Sequence, residues 1–170
     1  MTENPCFSGL ENLTYGLYIV TSADGEKKNG LLINTAFQVT ADPAEIAVCI
    51  NNKSFTHELI LSGKKLALMP LAKNTPFVFI GRFGFRTGRT FNKLEDVPFS
   101  VGENGCPLVE KYTLSATEAE VVKTVSLLTH TLFIGKVTSS RGFQTQEEPM
   151  TYAYYKNVLK GKTPLGATHY

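Results

Sequence analysis

The stretch from Gly30 to Leu59, GLLINTAFQVTADPAEIAVCINNKSFTHEL, constrains this chain most. It reads as a strand, a polar continuation, an Asp-Pro turn, an apolar strand and then a short polar loop opening a helix. That loop, Asn51-Asn52-Lys53-Ser54-Phe55-Thr56-His57, gathers one cation, two hydroxyls, two amides and an imidazole. The first N–H groups of a helix have no partner within it, and the helix dipole adds positive character there. A strand-rich scaffold that ends in such a loop suits a phosphate, and so a phosphate-bearing cofactor.

The spacing predicts strands over Gly16–Ser22, Gly30–Thr40, Ile46–Ile50, Lys65–Pro70, Glu118–Val125 and Thr131–Thr138. They are rich in β-branched and aromatic residues and bounded by turn signals. Helices are predicted over Ser54–Ser62, closed by Gly63, and over Phe77–Phe83, with Thr75 capping and Pro76 at the first helical position. Between Phe83 and Pro107 a Gly- and charge-rich segment lacks periodicity, as functional loops often do. Many short strands with few helices suggest a mostly β fold, a closed barrel. With 170 residues and no internal repeat, one domain over 1–170 is expected.

Seventeen basic residues against fifteen acidic leave a net charge of +2, too little for a broad nucleic-acid footprint. Cys6, Cys49 and Cys106 are scattered, which argues against a disulfide framework, zinc or an iron–sulfur cluster. Cys49 lies in the apolar run IAVCI and reads as a reduced core residue. His57, His130 and His169 are too dispersed for a metal set, so no metal is expected. The start, MTENPCFSGLENL, carries neither the positive end nor the apolar core of a secretory leader, and no apolar run reaches membrane-spanning length. A cytoplasmic setting without membrane contact is expected.

The run GLLINTAFQVTADPAEIAVCINNKSFTHELI, followed by IGRFGFRTGRTFNK, HTLFIGKV and PMTYAYYKNVLKGKTP, resembles the FMN-binding split-barrel flavin reductases. Within them it is similar to the flavoredoxin subgroup and to the flavin domain that precedes rubredoxin in high-molecular-weight rubredoxins. The resemblance covers nearly the whole chain in order. It implies a small Greek-key barrel that forms a homodimer and holds FMN near the subunit interface. It implies electron flow from NADH or NADPH through FMN to ferric iron, free flavin or an iron protein such as rubredoxin. No Cys-x-x-Cys rubredoxin module follows in these residues, so the resemblance implies a separate acceptor.

The resemblance places Asn34, Thr35, Ala36, Phe37 and Gln38 beside the flavin ring and ribityl chain. The bland alternative is the wet face of a strand. Asn51, Lys53, Ser54, Thr56 and His57 are the expected phosphate set, against the alternative of a well-capped helix. Arg89 is a further phosphate candidate. His130 opens a strand, and the resemblance places it near the flavin as a possible catalytic group. Tyr155, in the aromatic run Tyr152-Ala153-Tyr154-Tyr155, suits stacking on a flat ring or burial against a partner subunit.

Two other readings compete. An FMN electron carrier fed by a protein would lack the nicotinamide site. A nucleic-acid-binding barrel would use the Arg–Phe segment Gly81–Arg89, yet that segment departs from the aromatic RNA-binding strand motif. Gly161-Lys162-Thr163 lacks the upstream glycine of a nucleotide-triphosphate loop. Hydride transfer between nicotinamide and flavin needs no acid–base pair, because the cofactor performs the chemistry.

Overall fold

The structure, a computed structural model, describes residues 8–164. Cys6, His169 and the first seven residues of the N-terminal stretch lie outside the described residues. A 3₁₀ turn, Ser8–Asn12, precedes β1 (Tyr18–Asp24), β2 (Lys27–Ile33), β3 (Ala36–Ala41) and β4 (Ala44–Asn51). Next come α1 (Phe55–Gly63), β5 (Lys65–Pro70), α2 (Phe77–Gly84) and the short ladder of β6 (Ser100–Val101) with β7 (Pro107–Leu108). The long hairpin β8 (Ser115–Ser126) and β9 (His130–Gly142) and the short helix α3 (Tyr152–Asn157) complete it.

Seven strands form one antiparallel sheet in the order β2-β1-β5-β8-β9-β4-β3. Val20, Ile33, Val48, Ile50, Leu66, Ala119 and Phe133 share one buried cluster, joined by Ile60 of α1. These residues come from strands at both ends of the order, so the sheet curls around a common interior. The barrel is split, as the resemblance implies, and not closed all round as strand content alone suggests: β2 and β3 are the two edges and do not pair with each other. On the other side of β1 and β5 a second cluster holds Ile19, Met69, Phe79, Phe83, Met150 and Tyr155.

The single strand predicted over Gly30–Thr40 is two strands. Thr35 donates its Oγ1 proton to Asn34 Oδ1 at 3.1 Å, while Asn34 is buried. Such local side-chain bonds compete with the ladder. The chain turns there and crosses from one edge of the sheet to the other. Helix α1 starts as predicted, with Ser54 accepting from the His57 N–H at 3.0 Å. It closes on Lys64, in the left-handed region at φ 53°, rather than on Gly63. Gly63 instead permits a close approach, since a Cβ there would lie 2.4 Å from the Ala23 carbonyl oxygen.

Helix α2 lacks the predicted threonine cap. The Thr75 hydroxyl donates back to the Ala72 carbonyl, leaving Pro76 as a cap without a side-chain bond. The aromatic tail, expected as strand or loop, is helical because Thr151 caps it by accepting from the Tyr154 N–H at 3.1 Å. Cys49 is half-buried on the outer face of the sheet rather than in the core, and its thiol is free.

Candidate functional site

One end of the barrel collects most of the expected residues. The Thr35 carbonyl accepts from the Cys49 N–H at 3.0 Å, so the Asn34–Thr35 corner lies beside the last residues of β4. Asn51, ending β4, pairs in register with His130, opening β9. The Asn52 N–H donates to the Thr129 carbonyl at 3.0 Å. The β2–β3 corner, the β4–α1 loop and the β8–β9 turn therefore meet at one place.

The loop itself is built by local bonds. Asn51 Oδ1 accepts from the Lys53 N–H at 2.9 Å, which tightens the turn before the helix. The Lys53 side chain is exposed. Arg89 arrives from the long segment after α2. Its guanidinium donates to both carboxylate oxygens of Glu58, one at 3.2 Å, and to the Lys53 carbonyl at 3.5 Å. It also lies over the Phe55 ring, 5.9 Å from the centroid. Hydrogen bonding to Arg89 holds the Glu58 carboxyl below its usual range.

Gly88 explains how this segment approaches so closely. A Cβ there would stand 2.3 Å from the Asn29 side-chain nitrogen. Buried Asn29 in turn donates its Nδ2 proton to Thr56 Oγ1 at 2.9 Å. Farther along the same segment, buried Lys93 donates from Nζ to the Phe83 carbonyl at 2.9 Å, and burial pulls its pKa down to about 8. Arg82 donates to the Glu95 carbonyl at 2.8 Å. Arg82 and Arg86 both sit near the Phe91 ring, at 5.2 and 5.4 Å, so the Arg–Phe interleaving packs on itself.

The flavin reductase like domain family matches residues 10–161, nearly the whole described chain. The chain belongs to this family. It is similar to high molecular weight rubredoxin of Moorella thermoacetica, with 44% identity over 158 residues, 93% of this chain and 69% of that one. It is also similar to a ferric-chelate reductase (NAD(P)H) of Archaeoglobus fulgidus, with 42% identity over 93% of each chain. Among solved structures, flavin reductase PheA2 superposes with a TM-score of 0.71 and 25% identity, covering 84% of this chain and 88% of that one.

Within this flavin reductase like domain, the expected residues divide into outward and inward sets. Lys53, Phe37 and Gln38 are exposed, and Ser54, Thr35 and Ala36 are half-buried. The Gln38 amide donates to the Thr40 carbonyl at 3.0 Å. Thr56 is fully buried, its hydroxyl accepting from Asn29, and so belongs to the support of the loop. The His57 ring also turns inward: it lies against Phe133 at 5.5 Å, and Nε2 is 2.8 Å from Thr131 Oγ1. Thr131 gives its own proton to Asn52 Oδ1 at 2.8 Å, so His57 Nε2 must be the donor. His57 thus ties β9 to the loop rather than presenting a cation. The Tyr155 phenol donates to the Lys162 carbonyl at 2.8 Å, and its ring packs on Phe77, Tyr152 and Gly161. The structure does not gather Tyr155 with the loop residues.

Burial lowers the His57 pKa from 6.5, with the Glu58 charge opposing, and burial lowers that of His130 too. Both are favoured neutral in the folded state, so the unfolded chain takes up protons first as pH falls. Their contribution to stability is full above about pH 6.5 and is lost as pH drops through the lower folded values. The urea midpoint should therefore be lower at about pH 5.5 than at about pH 7.5, on either side of the ordinary histidine range. His57→Gln should flatten part of that fall; an unchanged pH slope in the variant would contradict it.

Asn29 and Thr131 had no sequence signal, because each acts through a partner from a distant segment. Asn52 was visible as a loop amide and Glu58 as a first-turn acid, but not their partners Thr131 and Arg89. A cleft of about 550 Å³, lined among others by Asn74, Tyr112, Arg141 and Phe143, lies around the far end of β9 and shares no residue with this site.

Proposed function

We propose that this chain is an FMN-dependent oxidoreductase that passes electrons from NADH or NADPH through bound FMN to a separate acceptor. The observation that carries it is the meeting of the α1 start, Lys53 and Arg89 with the Asn34–Thr35 corner, in a member of the flavin reductase like family. Two cations, outward hydroxyls and helix N–H groups form a donor set chemically suited to a phosphate monoester. Lys53 supplies a point charge and Arg89 a planar fork, while Asn51 and the His57–Thr131–Asn52 chain hold the loop in shape. Asn34, Thr35, Ala36, Phe37 and Gln38 line the corner proposed for the ring and ribityl chain, and His130 stands at its margin as a candidate to contact the ring. FMN supplies the hydride acceptance; the chain orients two flat rings.

The acceptor is proposed to be ferric iron, free flavin or a rubredoxin-type iron protein. The relative's name, high molecular weight rubredoxin, supports the last. A homodimer is supported by an apolar outer face on β3, β8 and the β8–β9 turn, where Phe37, Val125, Leu127 and Leu128 are exposed. A single domain over 1–170 in the cytoplasm, with reduced cysteines, fits this reading; Cys49 and Cys106 are free.

The test is an absorbance spectrum of protein loaded with FMN and freed of excess, then mixed with NADH or NADPH without oxygen. Retained yellow flavin that bleaches is the expected result. Retained flavin that stays oxidised until dithionite is added would replace the reductase with an electron carrier. Lys53→Ala should weaken FMN binding about tenfold, the worth of one charge-assisted contact, without lowering the melting temperature. Equal affinity in that variant would remove Lys53 from the phosphate site.

A further inference from the structure

We infer that Glu58 is an internal counter-ion that competes with the cofactor phosphate for Arg89 and so sets how tightly FMN is held. The inference rests on the FMN reading above. Glu58 engages Arg89 with both carboxylate oxygens, the two-pronged geometry with which a guanidinium also grips a phosphate. The carboxylate therefore occupies the donors that an incoming phosphate would use.

Arg89 is held in place independently of Glu58. Gly88 packs on Asn29, the Arg89 N–H donates to Thr87 Oγ1 at 3.3 Å, and the guanidinium lies over Phe55 and reaches the Lys53 carbonyl. Removing the carboxylate thus leaves the cation over the helix start rather than releasing it to solvent. Glu58 sits in the first turn of α1, where the helix dipole stabilises a negative charge. A phosphate arriving at the same turn meets that charge. Either the two anions share Arg89 or Glu58 yields it. Both side chains of the pair are about half exposed, at 47% and 50%, so exchange of partners is a surface event with a small cost. With no cofactor, Glu58 occupies the guanidinium donors; with cofactor, the phosphate draws on the same donors. Glu58 thereby tunes the cofactor toward release rather than permanent retention.

The experiment measures dissociation constants for FMN and for riboflavin, which lacks the phosphate, by fluorescence quenching at low salt. It compares the wild type, Glu58→Gln, Arg89→Gln and the double variant, with melting curves to establish that each is folded. Glu58→Gln should tighten FMN about five- to tenfold and leave riboflavin unchanged, as expected for freeing one charge-assisted contact. Arg89→Gln should weaken FMN, and in that background Glu58→Gln should give little or no gain. An FMN affinity that is unchanged or weaker in folded Glu58→Gln would overturn the inference. So would an equal shift for riboflavin, or a full gain without Arg89. A wild type that holds FMN no better than riboflavin would instead overturn the phosphate site itself, and the inference with it.

Discussion

Phe83→Ala should destabilise the protein by about 3–5 kcal/mol, the range for emptying a buried aromatic site. Phe83 is fully buried and packs against Phe79 with ring centroids 5.2 Å apart. A Cβ on Gly30 would stand 2.8 Å from its ring, so α2 presses directly on β2 through this side chain. The backbone carbonyl of Phe83 also receives the Lys93 ammonium. The cavity therefore opens where α2, β2 and the long loop are joined. Urea unfolding with an unchanged m-value and a midpoint lowered to match is the expected reading. A loss under about 1 kcal/mol would mean the helix collapses into the space and does not depend on this ring.

Gly88→Ala should act on the site more than on the fold. The added methyl group would meet all three outer atoms of the Asn29 side chain within 2.6 Å. Asn29 must then release Thr56, or the segment must retreat and carry Arg89 away from the α1 start. Overpacking of this kind costs about 1–3 kcal/mol. FMN affinity should fall about tenfold or more, because Arg89 no longer reaches the place where the phosphate is proposed to sit. Asn29→Ala in the same chain restores the space and should recover part of the affinity. If Gly88→Ala binds FMN like the wild type, the position of Arg89 does not depend on this contact.

These two residues also mark the limit of what the sequence discloses. Ser54, Lys53 and the start of α1 were legible because caps, charges and apolar spacing are local patterns. β5 was legible to the residue, being a short apolar run between breaks. The split at Asn34-Thr35 was hidden, since no Gly or Pro marks it and the bonds made there, Thr35 to Asn34 and the Cys49 N–H to the Thr35 carbonyl, are not local sequence patterns. The Arg89–Glu58 pair joins elements separated by a strand and a helix, and nothing in either local sequence requires it. His57 shows the same limit from the other side: its position in the loop was visible, but the inward turn of its ring depends on Thr131 and Phe133. Tyr155 lay in a run that suited a stacking surface, yet Gly161 folds back and covers it.

The pairing of Asn51 with His130 has a consequence for how the protein reaches its native state. β4 and β9 lie far apart along the chain, and contacts of that kind form only after a large loss of chain entropy. The end of the barrel that frames the candidate site is completed by this pairing, so the site is absent from partly assembled chains. A ligand that recognises it selects the finished barrel alone. Its binding free energy is then added in full to the stability of the whole domain, about 2.7 kcal/mol at a free concentration roughly one hundred times Kd. A ligand bound at this end would thus shift the folding equilibrium of the whole domain, not only of the loop it touches.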